Sequence, residues 1–260
     1  MIVQFSKYQG TGNDFIIFDA RNSEFPVLPF EKVSALCDRR FGIGADGLIM
    51  ILPHRKLDFS MKYYNSDGHE GTMCGNGGRC AVAFASRSGI IKDHARFEAF
   101  DGIHEGWISR NIVKLTMQPV KGIKIFEDHY ELNTGSPHYV KFVNDARKTD
   151  VMNEGPVIRY SSPFREKGIN VNFVSPHKDG IFVRTYERGV EDETLSCGTG
   201  MVASAICAAV NNKSDKNSYT IYTRGGTLQI SFRRSGKDRF DNIMLEGPVG
   251  FVFEGNIEIN

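Results

Sequence analysis

Apolar and polar residues alternate through "IVKLTM" (112–117) and "TLQISF" (227–232), while "GFVFEG" (250–255) is an apolar run between glycines. Such stretches, bounded by turn residues, predict β-strands. "FDGIHEG" and "TRGGT" place glycines between apolar runs and predict tight turns. Two other stretches change period. "GRCAVAFASRSG" predicts a helix that stops at Gly89, and "MVASAICAAVNN" predicts one that stops at an Asn pair. The second is apolar almost all round, which predicts a helix buried on every side. A strand-built, barrel-like shell around a central helix would bury it.

Each helix follows the same string, Cys-Gly-x-Gly, in "MCGNGGRC" (73–80) and "SCGTGMVAS" (196–204). The cysteines, Cys74 and Cys197, stand 197 − 74 = 123 residues apart. At that offset Thr11-Gly12 falls on Thr134-Gly135, Tyr63 on Tyr186 and Gly102 on Gly225. Matches in four regions at one ungapped offset indicate an internal repeat. Beyond Gly102 the register slips, since "NIVKLTM" at 111 resembles "DNIMLEG" at 241, so the second half carries extra residues. The expected fold class is α/β (α+β), with two pseudo-symmetric duplicated domains and an active site in the cleft between them. Pro119 and Gly122 interrupt the pattern in "QPVKGIKIFED" (118–128), so the expected halves are 1–117, joined by a last strand at about 249–260, and 118–248.

The 260 residues suffice for two domains with real cores. Lysine and arginine total 32 against 31 acidic residues, a net charge of +1, so no nucleic-acid or acidic-membrane partner is expected. The N-terminal "MIVQFSKYQG" lacks a basic region followed by a long apolar run, and no signal peptide is expected. No apolar run approaches the roughly 20 residues of a membrane helix. Five cysteines without disulfide-scaffold spacing suit free thiols in a reducing, cytoplasmic setting. No CxxC pair or His spacing completes a metal site, so no metal is expected.

The two cysteine strings carry the candidate chemistry. A helix start presents unpaired N–H groups with partial positive charge, which lower a thiol's pKa and bind carboxylates. Glycines let the backbone approach a ligand closely. Two such units, facing each other, could hold one carboxylate with a thiol on each face of its α-carbon. That arrangement suits a racemase or epimerase that needs no cofactor. One thiolate takes the α-proton, the opposite thiol returns one, and the helix starts stabilise the enolate-like charge. A buried cysteine is ordinarily a small hydrophobe, which fits Cys37, Cys80 and Cys207.

With these strings in view, the chain resembles the diaminopimelate epimerase family over nearly its whole length. The resemblance runs through "GTGNDFI" (10–16), "RRFGIGADGLI" (39–49), "YYNSDG" (63–68), "MCGNGGRC", "GSPHYV" (135–140), "INVNFV" (169–174), "YERGVEDET" (186–194) and "SCGTG" (196–200). The related proline racemases typically read Met-Cys-Gly-His in the first motif; Asn76 here favours the epimerase. The resemblance implies cofactor-free interconversion of LL- and meso-diaminopimelate in lysine and cell-wall precursor synthesis, with Cys74 and Cys197 as the acid–base pair. It implies that Gly75, Asn76, Gly198 and Thr199 hold the reacting carboxylate and Glu187 the reacting amino group. His138 would lie close by, and Asn13, Asn65, Asn170 and Arg188 would line the pocket, with Arg188 suited to the distal carboxylate. It also suggests a homodimer. Two positions depart from many relatives: Ser136 stands where they carry Asn, and Gly47 where some carry Gln. Two alternatives remain open, an epimerase of another amino acid and a thiol redox protein using a Cys74–Cys197 disulfide. A substrate panel under reducing conditions separates them.

Overall fold

A computed structural model describes residues 1–22, 25–213 and 215–259. It divides into two compact units, Met1–Leu115 with Gly247–Asn260, and Thr116–Glu246.

The first unit runs β1 (Ile2–Gly10), β2 (Asn13–Asp19), α1 (Phe30–Cys37), β3 (Gly47–Leu52), β4 (Phe59–Asn65), α2 (Gly75–Arg87), β5 (His94–Ala99), β6 (Gly102–Ser109) and β7 (Ile112–Met117). The second runs β8 (Val120–Lys121), β9 (Lys124–Ile125), β10 (Tyr130–Asn133), β11 (Pro137–Phe142), α3 (Val151–Arg159), β12 (Asn170–His177), β13 (Gly180–Glu187), β14 (Asp192–Thr194), α4 (Gly198–Asn211), β15 (Ser218–Thr223), β16 (Gly226–Arg234) and β17 (Arg239–Pro248). The chain then returns to the first unit as β18 (Gly250–Glu258), antiparallel to β1.

The pairing is the same in both units. In the first, β1–β2 is antiparallel, β2–β3 parallel, β3–β4 antiparallel, β4–β5 parallel and β5–β6 antiparallel. In the second, β10–β11, β11–β12, β12–β13, β13–β15 and β15–β16 repeat that sequence of directions. Each parallel step needs a crossover, and a helix supplies it. These are α1 and α2 in the first unit, α3 and α4 in the second. α2 contacts β1 to β6, and α4 contacts the six equivalent strands β10, β11, β12, β13, β15 and β16. Each is therefore the central helix of a strand-built shell, as its composition predicts. Every residue of α4 from Gly198 to Ala209 is buried.

The periodicity fails at three places. "FDGIHEG" turns only at Phe100-Asp101, and from Gly102 onward it is strand β6. The short helices α1 and α3 carry no clear apolar stripe and went unpredicted. α3 even contains Gly155 and Pro156, which oppose helix formation in isolation. Tertiary packing holds it, for Gly155 lies against Tyr186, where a Cβ would stand 2.6 Å from the Tyr186 Cβ.

Candidate active site

Cys74 is the N-cap of α2, with extended backbone (φ −104°, ψ 114°), and its Sγ accepts the Gly77 N–H at 3.5 Å. Gly75 opens the helix, so its peptide belongs to the first turn of unpaired donors. The Cys74 thiol donates to Asn13 Oδ1 at 3.7 Å, and Asn76 Nδ2 donates to the same oxygen at 3.3 Å. Asn13 is fixed from its other end, where Nδ2 donates to Asp46 Oδ2 at 2.8 Å. Arg39 bridges Asp46 and Asp14 at 2.7 Å each, and Lys7 lies 2.8 Å from Asp14. Burial pushes the Asp14 carboxyl up, but its bonds to Arg39 and Lys7 outweigh that and hold it at about 2. Gly10 lets β1 pass the helix start, since a Cβ there would stand 3.1 Å from the Asn76 carbonyl oxygen and 3.2 Å from Arg79 Nη2.

Asn65 ends β4 opposite Gly47 of β3. Its backbone closes a turn, accepting the Gly68 N–H at 3.0 Å and donating to His69 O at 2.9 Å. Among the described residues no hydrogen bond joins it to the Cys74 cluster. The space a side chain at Gly47 would need is filled, because a Cβ would lie 2.5 Å from the Tyr63 ring and 2.6 Å from Tyr64 O.

Cys197 is the buried N-cap of α4, with nearly the same backbone (φ −116°, ψ 108°) as Cys74. Behind it stands a directed chain of neutral groups. Thr185 Oγ1 donates to Asn172 Oδ1 at 2.9 Å, which turns the Asn172 amide nitrogen toward His138 Nδ1 at 3.1 Å. His138 Nδ1 then accepts, so Nε2 carries the proton and donates to Thr199 Oγ1 at 3.0 Å. Thr199 Oγ1 in turn pairs with Cys197 Sγ at 3.5 Å, a contact in which either group can donate. His138 is fully buried, and burial, aided by the Arg188 charge, pushes its pKa down to about 3. It stays neutral at physiological pH. Thr134 Oγ1 donates to Thr199 O at 2.9 Å and anchors the same turn.

Beside this chain lies a polar group around Asn170. Its Nδ2 donates to Ser136 Oγ at 2.8 Å, and its Oδ1 accepts the Arg188 N–H at 2.9 Å. The Arg188 guanidinium donates to Lys167 O at 2.9 Å and to Ser136 Oγ at 3.5 Å. Glu187 Oε2 accepts from Thr194 Oγ1 at 2.9 Å.

The predicted residues thus fall into groups: Asn13, Cys74, Gly75 and Asn76 with Asn65 at a nearby strand end; and Cys197, Gly198, Thr199 and His138 beside Ser136, Asn170, Glu187 and Arg188. Sequence reasoning missed Asp46, Arg79, Asn172 and Thr185. A partial signal existed, for Thr11 and Thr134 match at the repeat offset and each bonds a residue of a helix start. The remaining cysteines are inert. Burial pushes Cys37 up to about 12 and drives Cys80 and Cys207 far above the ordinary thiol range. All five cysteines are free. Among the described residues no group of three or more His, Cys, Asp or Glu could hold a metal, and no helix is long and apolar enough to cross a membrane.

The sequence profile described as diaminopimelate epimerase matches residues 5–118 and 130–252. The chain belongs to the diaminopimelate epimerase family. A diaminopimelate epimerase of Flavobacterium psychrophilum is 51% identical over 253 residues, covering 96% of this chain and 98% of its own. That of Aquifex aeolicus is 40% identical, covering 98% of each. The family fold recurs in solved structures at low identity. A PhzF-family phenazine biosynthesis protein of Bacillus anthracis has a TM-score of 0.73 at 14% identity over 100% of both chains. A hydroxyproline epimerase of Agrobacterium vitis has a TM-score of 0.69 at 13% identity, over 98% of this chain and 92% of that one.

Proposed function

We propose that this chain is an epimerase that interconverts LL- and meso-diaminopimelate without a cofactor, in lysine and peptidoglycan precursor synthesis. The observation that carries the reading is two cysteines at the N-caps of two equivalent central helices, in a chain 51% identical to a diaminopimelate epimerase. Cys74 and Cys197 act on opposite faces of the α-carbon, one as thiolate base and the other as thiol acid. The N–H groups opening α2 and α4, at Gly75-Asn76 and Gly198-Thr199, take the α-carboxylate and the charge that develops on it. Glu187 takes the reacting amino group. Arg188, with Asn170 and Ser136 fixing its position, takes the distal carboxylate; Asn13 and Asn65 complete the pocket. The domains are read as 1–117 with 249–260, and 118–248. The working form is a cytoplasmic homodimer.

The test is incubation of the reduced protein with LL-diaminopimelate, followed by chiral analysis. Appearance of the meso isomer supports the reading. No conversion of diaminopimelate, with turnover of another amino acid, would overturn the substrate assignment. A thiol–disulfide cycle without turnover of any amino acid would favour a redox role.

A further inference from the structure

Arg79 is the largest fully buried side chain among the described residues. Its Nη2 donates to Thr11 Oγ1 at 3.1 Å and to Asn76 Oδ1 at 3.0 Å, while Nε and Nη1 have no hydrogen-bond partner. Among the described residues no carboxylate lies within ion-pair distance of it. A buried charge is costly unless something compensates it. The other charges near this helix start compensate each other: Lys7 and Arg39 against Asp14 and Asp46. Arg79 alone has no anion.

Among the described residues, two thiols near Arg79 can become anions: Cys80, the next residue, and Cys74, five residues earlier at the cap of the same helix. Burial lowers Arg79 to about 10, and the charges that push back are Cys80 and Cys74. Burial drives Cys80 well above the thiol range, so Cys80 remains protonated. Cys74 is half-buried and accepts the Gly77 N–H. One contact acts in the opposite sense, since Asn13 Oδ1 accepts the Cys74 thiol hydrogen. That oxygen already accepts from Asn76 Nδ2, an orientation fixed by Arg79 on Asn76 Oδ1. Asn13 therefore keeps a donor when the thiol loses its proton. The magnitudes also decide it: one weak neutral hydrogen bond moves an ionisation by up to about one pH unit. A nearby opposite charge moves it by roughly one to three.

We propose that Arg79 is a positioning residue of the epimerase site: the buried counter-charge of the Cys74 thiolate, which also fixes the Asn76–Asn13 amide pair beside the thiol. The second copy has no counterpart, because the repeat places Val202 at this position and neutral Thr199 and His138 beside Cys197. The inference rests on the reading of Cys74 as an acid–base group.

The experiment follows alkylation of Cys74 and Cys197 by iodoacetamide between pH 5 and 10, peptide by peptide, in the folded full-length protein (a range about the free-thiol value of roughly 8.5). Wild-type Cys74 is expected to show its midpoint below that value. Arg79→Gln, which keeps a hydrogen-bond donor but loses the charge, should raise the Cys74 midpoint by at least about one pH unit, a tenfold loss of thiolate at low pH. Arg79→Lys should restore most of that shift, and Cys197 should not move in either variant. An unmoved Cys74 midpoint in folded Arg79→Gln, or equal rises in both variants, overturns the proposal. If neither variant folds, a wild-type Cys74 midpoint at or above the free-thiol value overturns it, and one below supports it. Failure of the functional reading shows differently: Cys74→Ala would still epimerise, whatever the alkylation profile.

Discussion

His138 shows how one residue's surroundings set its charge. Its Nδ1 is occupied by the Asn172 amide and its ring is fully buried, so a second proton has nowhere to go. The folded value of about 3 lies below the ordinary 6.5. Below pH 6.5 the unfolded chain binds a proton that the folded chain refuses. This contribution to stability is full above pH 6.5 and is lost as pH falls toward 3. Between pH 7 and pH 5 it amounts to about 2 kcal/mol. His138→Gln should therefore lose less stability over that interval than the wild type, measured as urea unfolding at both pH values. Equal losses would mean that His138 does not titrate as buried. At this scale legibility was uneven. His138 and Asn13 could be named from motifs, but Arg79 could not, since arginine in a helix is ordinarily exposed. The repeat held the missing clue: position 79 aligns with Val202, inside a helix apolar all round, so the arginine occupies a core position.

At the scale of elements, alternation located β7 and β16 because each buries one face and exposes the other, whereas β18 was legible from its apolar run between glycines. α2 and α4 were legible from their caps and unbroken small or apolar runs. α1 and α3 were not, because eight or nine residues give too few turns for a stripe to stand out, and packing overrides their weak propensity. β18 is the element whose partner the sequence could only suggest. It pairs with β1 from Ile2↔Glu258 to Gln9↔Gly250, and its Phe253 and Phe251 meet Phe5 and Tyr8 edge-on at 5.9 Å and 5.5 Å. Without it β1 becomes a bare edge with its aromatic partners exposed. A chain ending at Pro248 should fail to show a cooperative unfolding transition for the first unit, or should aggregate. Phe253→Ala, at a ring already 45% exposed, should cost only about 1–2 kcal/mol. A truncated chain that unfolds at the same urea concentration as the full one would mean that β18 is dispensable.

At the scale of the whole molecule the chain writes one topology twice, and the offset of 123 found it because the two central helices carry it without a gap. The copies then diverged around a shared framework. Asn13 aligns with Ser136, Gly47 with Asn170, Asn65 with Arg188 and Asn76 with Thr199, so equivalent positions hold different residues. That asymmetry suits the proposed substrate, of which one end reacts while the other is only held, whereas the two cysteines at matching caps suit the proposed two-sided proton transfer. The proposed mechanism therefore has a consequence that a single-base enzyme would not share. Cys74→Ala and Cys197→Ala each keep a thiol for one face of the α-carbon only. Neither should invert the centre, because no donor remains for the opposite face. Each should still remove a proton on its own face and return one there. In D2O, one variant should slowly label LL-diaminopimelate at its α-position and the other should label the meso isomer at its D-centre. Wild-type enzyme should place solvent deuterium mainly in the inverted product at early times, by mass spectrometry after chiral separation. If either variant epimerises at close to the wild-type rate, one cysteine is dispensable, and the duplicated helix caps need another explanation.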